Sequence, residues 1–346
     1  MNSNPSLGPK KRSRAWKWTW RITIAFVFLL LGPYFLSRIA APANRLHLLS
    51  SANAQLDANS DSIRIACYNI AHGRGLAKSN WDGGTPEQRI ERLDQIAALL
   101  KEIDADIVIL NEVDFDTSWS NHVNQAEYFA EKCGYPFRVE ERNLDFRVLH
   151  RTWRFGNAIL SRVPLTNASL IDLPSFSEFE TAAAGKKRAF GVDTLIGDST
   201  IHVVAAHLSH RSEKIREKSA AAIIDHVKAV ELPTVIAGDM NSSPPPFPQH
   251  RLTKNGKNAI ETFRSAGLFK FSQENTPTQK SEFTFPADSP AIVIDWFLFT
   301  KELDEKASYR TVDSTLSDHR PIVIDLSLKI TPQSENAATQ KSRNRP

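Results

Sequence analysis

Ser317-Asp318-His319-Arg320-Pro321-Ile322-Val323-Ile324 sets a carboxylate and an imidazole side by side on a short loop, which Pro321 stiffens before an apolar strand. A histidine next to an aspartate suits a general base or a charge-stabilising acid, because the carboxylate can orient the ring and favour its protonated form. Alone, the pentapeptide reads equally well as a solvated loop. Its meaning depends on what other segments bring beside it.

Five other apolar runs share its character. Ile63 to Tyr68 ends at Asn69, Ile107 to Leu110 at Asn111-Glu112, Ile201 to Ala206 at His207, Thr234 to Ala237 at Gly238-Asp239-Met240-Asn241, and Ile292 to Ile294 at Asp295. Gly156-Asn157-Ala158-Ile159-Leu160-Ser161 begins a further strand. Helical patterns alternate with these runs. Thr85-Pro86-Glu87-Gln88 has the form of a capping box with proline at the first helical position, followed by Ile90, Leu93, Ile96, Ala97 and Leu100 on one face. Ser212 to Val230 is amphipathic through Ile215, Ala222, Ile223 and Val227. Neighbouring buried strands would carry their polar ends to one rim. Carboxylate and amide oxygens there suit a hard cation such as Mg²⁺ or Mn²⁺, and the imidazoles handle protons.

Charge excludes one simple reading. The chain of 346 residues has a formal charge of +4, but residues 1–50 hold eight basic residues and no acidic one. The tail from Thr331 adds three basic residues against Glu335, so residues 51–330 carry −6. The basic total is therefore no argument for a nucleic-acid partner. Of the two cysteines, Cys67 lies in an apolar run and is expected to be a buried small hydrophobe.

The N-terminus reads as an export segment. A basic leader over residues 1–21, with Trp16, Trp18 and Trp20, precedes an apolar run over 22–37 that Gly32-Pro33 interrupts. The run is either a transmembrane anchor or the apolar region of a signal peptide, for which Ala41-Pro42-Ala43 has the small-residue spacing of a cleavage site. In both cases the positive flank puts the leader in the cytoplasm and the remainder outside it, in the periplasm or extracellular space. Residues 38–61 are expected to be a linker, 62–330 one catalytic domain, and 331–346 a disordered tail.

From Ile63 to Leu328 the chain resembles the endonuclease/exonuclease/phosphatase superfamily. The motifs that carry the resemblance run in order: Tyr68-Asn69-Ile70, Leu110-Asn111-Glu112-Val113, Gly156 to Ser161, Ala206-His207-Leu208, Gly238 to Asn241, Ile294-Asp295-Trp296 and Ser317 to Pro321. The resemblance implies an α/β fold, a four-layer sandwich of two packed β-sheets flanked by helices. It implies an Mg²⁺- or Mn²⁺-dependent phosphoric ester hydrolase acting by in-line attack of water at phosphorus.

The same resemblance implies residue roles. Glu112, Asn69 and Asp318 are expected at the metal. His319 is expected to be the general base or the ring beside the phosphate, with Asp318 orienting it. Asp239 and Asn241 are expected to hold the nucleophile and a phosphoryl oxygen, and His207 and Asp295 to form a second His–Asp pair. Arg188, Asn157 and His72 are the candidates for substrate binding. Arg147, His150 and Arg154 form a basic loop, read as solvated, the alternative being contact with an anionic head group.

The expected protein is thus a monomeric, membrane-tethered phosphodiesterase, with a phosphate-ester substrate that is a lipid or a small diester. Exposed aromatics would aid a lipid substrate, and Phe176, Phe179 and Phe247 lie in loop-like stretches. An extracytoplasmic nuclease acting on DNA or RNA is the alternative within the enzyme class. A catalytically inactive binding module is the reading outside it, disfavoured because the polar rim residues are all in place.

Overall fold

Alternation within the apolar runs produces the layers. In Ser62–Asn69 and Ile107–Asp114, the side chains of Ile63, Ile65, Cys67, Ile107 and Ile109 enter one core, and those of Ala66, Tyr68, Val108 and Leu110 enter another on the opposite face. Strands buried on both faces need continuous apolar sequence, and these have it. The computed structural model describes residues 14–40, 45–51, 62–178, 181 and 185–328. The tail over 331–346, the first thirteen residues and most of the expected linker lie outside them.

We number the strands β1 (Leu46–Ser50), β2 (Ser62–Asn69), β3 (Ile107–Asp114), β4 (Phe137–Val148), β5 (Arg151–Ser161), β6 (Thr166–Asp172), β7 (Arg188–Ile196), β8 (Ser199–His207), β9 (Thr234–Asp239), β10 (Phe269–Phe271), β11 (Asp295–Thr300), β12 (Leu303–Thr311) and β13 (Ile322–Leu328). One sheet has the order β1-β4-β5-β3-β2-β13-β12 and the other β10-β11-β9-β8-β7-β6. Their inner faces share one core, from Ile65 and Ile159 on one side to Val203, Val235 and Phe297 on the other.

Helices cover the outer faces. Pro86–Ile103 (α2) and Gln125–Cys133 (α3) pack on the first sheet, and Glu213–Val230 (α4) and Ala259–Ser265 (α5) on the second. The expected capping box is present: the Gln88 N–H donates to Thr85 Oγ1 at 3.3 Å, and the Thr85 N–H to Gln88 Oε1 at 3.0 Å. The architecture is the four-layer α/β sandwich.

Three expectations change at the edges. Leu46–Ser50, inside the expected linker, pairs antiparallel with β4 and forms the outer strand of the first sheet. The N-terminal apolar run belongs to a longer helix, Arg14–Ala40 (α1), which passes through Gly32-Pro33; its segment Trp16–Ser37 is long and apolar enough to cross a membrane. Proline costs a helix one hydrogen bond, and the uninterrupted apolar turns on either side outweigh that loss. Asp295 opens β11 rather than ending a strand, and the run Ile292 to Ile294 before it makes only an isolated bridge to Phe285.

That last difference explains the rim. β2 and β3 are parallel, as are β8 and β9, so Asn69, Asn111, His207 and Asp239 stand at one edge of the sandwich. β11 and β13 are antiparallel to their neighbours, so their beginnings reach the same edge: Asp295 lies opposite Asp239, and Ile322 opposite Cys67.

Candidate active site

Two backbone devices aim the rim side chains inward. The pairing of β3 with β5 shifts between Leu110 and Val113, and Glu112 at this bulge takes the left-handed region with φ 53°. A bulge re-aims one side chain without ending the strand, and here it turns Glu112 into the cleft. Gly238 supplies the second device. A Cβ there would collide with the Ala206 carbonyl, so only glycine lets β9 approach β8 closely enough to set Asp239 beside His207.

The resulting cleft encloses about 340 Å³, with Glu112, His207, Asp239, Asn241, Asp318 and His319 on its walls. His319 Nδ1 lies 2.9 Å from Asp295 Oδ2. Its other nitrogen, Nε2, is 3.6 Å from Asp239 Oδ2 and 3.4 Å from the Asn69 amide nitrogen. Asp239 is held on all sides. Its Oδ2 accepts from Asn69 Nδ2 at 3.2 Å and Asn241 Nδ2 at 3.0 Å, its Oδ1 from the Asn241 N–H at 2.8 Å, and its own N–H donates to Asn111 Oδ1 at 2.9 Å.

Burial alone would lower the His319 pKa, but Asp295 and Asp239, with Asp318 beyond, overcome it and push the ring up to about 10. The Asp239 carboxyl is raised, by burial above all and by the nearby Asp295. Asp239 and His319 therefore titrate together, with the ring keeping its proton through neutral pH. The ring is oriented by Asp295 and not by the adjacent Asp318. Sequence adjacency misled here because neighbours on an extended loop point apart, and the antiparallel entry of β11 puts Asp295 under the ring.

Asp318 instead meets Arg74, whose Nη2 lies 2.6 Å from its Oδ2 and whose Nη1 lies 3.2 Å from Glu112 Oε2. Arg74 Nε donates to the Ala77 carbonyl at 2.8 Å, which fixes the guanidinium. Burial would raise the Glu112 carboxyl, yet His72, Arg74 and Lys187 around it hold it well below the usual carboxylate range. Glu112 and Asp318 offer the oxygen donors that a hard divalent cation takes, at partly exposed positions facing the cleft. The donor chemistry fits such an ion, with Arg74 now lying between them. Asp239, Asp295 and His319 bring three further ligand atoms within 4.8 Å of one another. Asn69 points its amide nitrogen at Asp239, and its Oδ1 accepts the Ala71 N–H at 3.0 Å.

The second expected pair does not form: Asp295 belongs to His319. His207 Nε2 lies 3.6 Å from Asp239 Oδ2 and 3.8 Å from Glu112 Oε1, and the Lys187 ammonium is 3.2 Å from its Nδ1. Burial and Lys187 push His207 well below its ordinary value, so its ring is neutral. Arg188 is drawn away to Asp172 at 3.2 Å and toward Glu141 at 3.9 Å. Successive residues entering a strand face opposite ways, and the register selects Lys187 rather than Arg188 for the cleft.

Asn157 is wholly buried. It accepts from Asn111 Nδ2 at 2.9 Å and donates to Glu141 Oε2 at 3.0 Å, so it steadies the strand that carries Glu112. His72 is buried too, with Nδ1 2.7 Å from Asp114 Oδ1 and Nε2 3.5 Å from Glu112 Oε2; the Trp119 indole donates to the other Asp114 oxygen at 2.8 Å. Sequence reasoning missed Arg74 and Lys187 as members of the site. Both were visible only as charges beside glycines or beside another charge, a pattern that solvated loops share.

The Endonuclease/Exonuclease/phosphatase family matches residues 66–319. No curated protein matches the chain. Among solved structures, an endonuclease/exonuclease/phosphatase from Beutenbergia cavernae is 21% identical, with a TM-score of 0.58 over 77% of this chain and 72% of that one. A Bacteroides thetaiotaomicron mannosyl-6-phosphatase is 16% identical, with a TM-score of 0.55 over 77% and 100%. The human Nocturnin catalytic domain with bound sulfate is 15% identical, with a TM-score of 0.54 over 82% and 97%. At these identities the likeness is one of fold.

Proposed function

The chain belongs to the endonuclease/exonuclease/phosphatase family, and on that premise we propose that it is a divalent-metal-dependent phosphodiesterase, tethered by α1 with its catalytic domain outside the cytoplasm. The observation that carries the reading is the His319 ring, held by Asp295 at one nitrogen and facing Asp239 across the cleft with the other. In its neutral form, reached as pH rises toward about 10, such a ring can accept a proton at Nε2 from a water held against Asp239, and Asp295 stabilises the imidazolium that results. Below that pH the imidazolium can donate from Nε2 to a phosphoryl or leaving oxygen. Asn69 and Asn241 keep the Asp239 carboxylate aimed while the charge moves.

Glu112 and Asp318 would hold the Mg²⁺ or Mn²⁺, whose contribution is to neutralise charge on the phosphoryl oxygens. The Lys187 ammonium and neutral His207 offer hydrogen-bond donors on the opposite wall, where a phosphoryl oxygen or a leaving oxygen would lie. The negative charge of the body supports a lipid or small diester over a polynucleotide, which needs a broad cationic track.

The test is a hydrolysis panel of plasmid DNA, RNA, phospholipids, inositol phosphates and bis-nitrophenyl phosphate with Mg²⁺ or Mn²⁺, an EDTA control and the His319→Ala protein. Metal-dependent hydrolysis of a diester, lost in His319→Ala, is the expected result. Plasmid nicking would convert the reading to an exported nuclease, and no metal-dependent turnover of any substrate would overturn it.

A further inference from the structure

Eight large apolar side chains after residue 45 stand exposed among the described residues. Three, Leu48, Leu170 and Leu195, lie within strands. The other five are Leu76, Trp81, Leu149, Phe176 and Leu252, and every one belongs to a connection on the edge that carries the catalytic residues. Leu76 and Trp81 follow β2, Leu149 tips the β4–β5 hairpin, Phe176 precedes β7, and Leu252 follows β9. Phe247, expected to be exposed, is buried against Trp296, and Phe179 lies outside the described residues. Loops are ordinarily polar, and an apolar set confined to one edge marks an interaction surface.

The hairpin says what that surface meets. Gly156 pairs with Val113, at the level of Glu112, and Arg151 at the tip lies five positions before it along the strand. The hairpin therefore stands roughly 16 Å beyond the catalytic rim, at about 3.3 Å per residue. Leu149 at its tip is 94% exposed, flanked by exposed His150 and Arg151. The Arg147 N–H, just inside the tip, donates to Ser37 Oγ at 2.9 Å, and Ser37 is buried. Ser37 is also the last residue of the membrane-length segment of α1. Hairpin tip, catalytic cleft and the end of that segment thus share one edge of the molecule.

We propose that this edge is a bilayer-docking face: Leu149, with Leu76 and Trp81 beside the cleft, enters the head-group layer next to α1, and the cleft opens toward the phosphodiesters of membrane phospholipids. The inference rests on the anchored reading of α1. An apolar tip beside a basic residue suits that layer, because the leucine finds the acyl boundary while the arginine meets phosphate.

The full chain, with Cys133→Ser and Leu149→Cys, is labelled with an environment-sensitive fluorophore and reconstituted in phosphatidylcholine vesicles containing phosphatidylglycerol. The same label at Leu195→Cys serves the opposite edge. The expected result is co-flotation with vesicles, with a blue-shifted signal quenched by spin-labelled lipid at position 149 and an aqueous signal at 195. Co-flotation with aqueous signals at both positions would overturn the docking face and leave the anchor standing. Failure to co-float would overturn the anchor and the docking face together. Leu149→Asp is expected to slow hydrolysis of vesicle phospholipid about tenfold, the scale of one buried leucine, while turnover of bis-nitrophenyl phosphate stays unchanged. Equal loss on both substrates would place Leu149 in the stability of the fold and sink the proposal.

Discussion

Two of the buried histidine–aspartate pairs among the described residues differ in setting: one sits in the cleft and the other between strands. His319 meets Asp295 at 2.9 Å on the rim, and His202 meets Asp193 at 2.6 Å between β8 and β7. His202 and Asp193 face each other directly across the strands, Asn167 closes on the second Asp193 oxygen at 2.8 Å, and His226 of α4 caps the ring at 3.1 Å. That pair is saturated by protein groups and joins two strands to a helix. The His319 pair leaves Nε2 facing Asp239 and the cleft. Local chemistry is the same in both; what separates a site from a strut is whether the second nitrogen has somewhere to send its proton.

Breaking each pair should expose that distinction. The largest effect is expected from Asp295→Asn, which leaves His319 without its orienting carboxylate and should lower kcat by about 10² to 10⁴. Because Asp295 and Asp239 hold the His319 proton up to about 10, removing Asp295 should also move the acid limb of the pH–rate profile to lower pH. A profile displaced to higher pH would remove His319 from the proton-accepting role. Asp193→Asn should leave kcat per folded molecule unchanged and cost about 1–3 kcal/mol of stability in urea denaturation, through unsatisfied buried groups. Equal losses of kcat in both variants would erase the contrast.

Arg74→Gln is expected to tighten Mn²⁺ binding about tenfold in calorimetry or electron paramagnetic resonance, since a charged competitor at two carboxylates is removed. Unchanged affinity would place the ion away from Glu112 and Asp318, toward Asp239. The smallest effect concerns stability against pH. The folded value for His319 lies above the unfolded 6.5, so its contribution is complete below pH 6.5 and is lost as pH rises toward about 10. His319→Gln should lose less stability than the parent across that window.

Much of the fold was legible because its physical basis is local. Strands buried on both faces must be apolar throughout, and a helix start must satisfy its own N–H groups; Ile107 to Leu110 and Thr85 to Gln88 declare those needs in their order. The rim was legible because a polar residue directly after such a run marks the end of a buried strand or a break in its pairing, as Asn69 and Glu112 do. Arg74 and Lys187 were not, because a cation in a loop costs nothing to leave in water and so carries no mark of its partner. The expected pairing of Asp318 with His319 failed for a related reason: adjacency along an extended chain says little about which side chains meet.

The chain order of residues by itself determined the alternating elements, the polar residues that gather at the rim and the apolar N-terminal helix. Only the tertiary structure decided that Asp295 holds the His319 ring, that Lys187 and not Arg188 enters the cleft, and that Arg74 lies between Glu112 and Asp318. Those choices depend on strand direction, register and one bulge. Each couples residues 24 to 244 positions apart or selects between neighbours, and no local pattern carries that information.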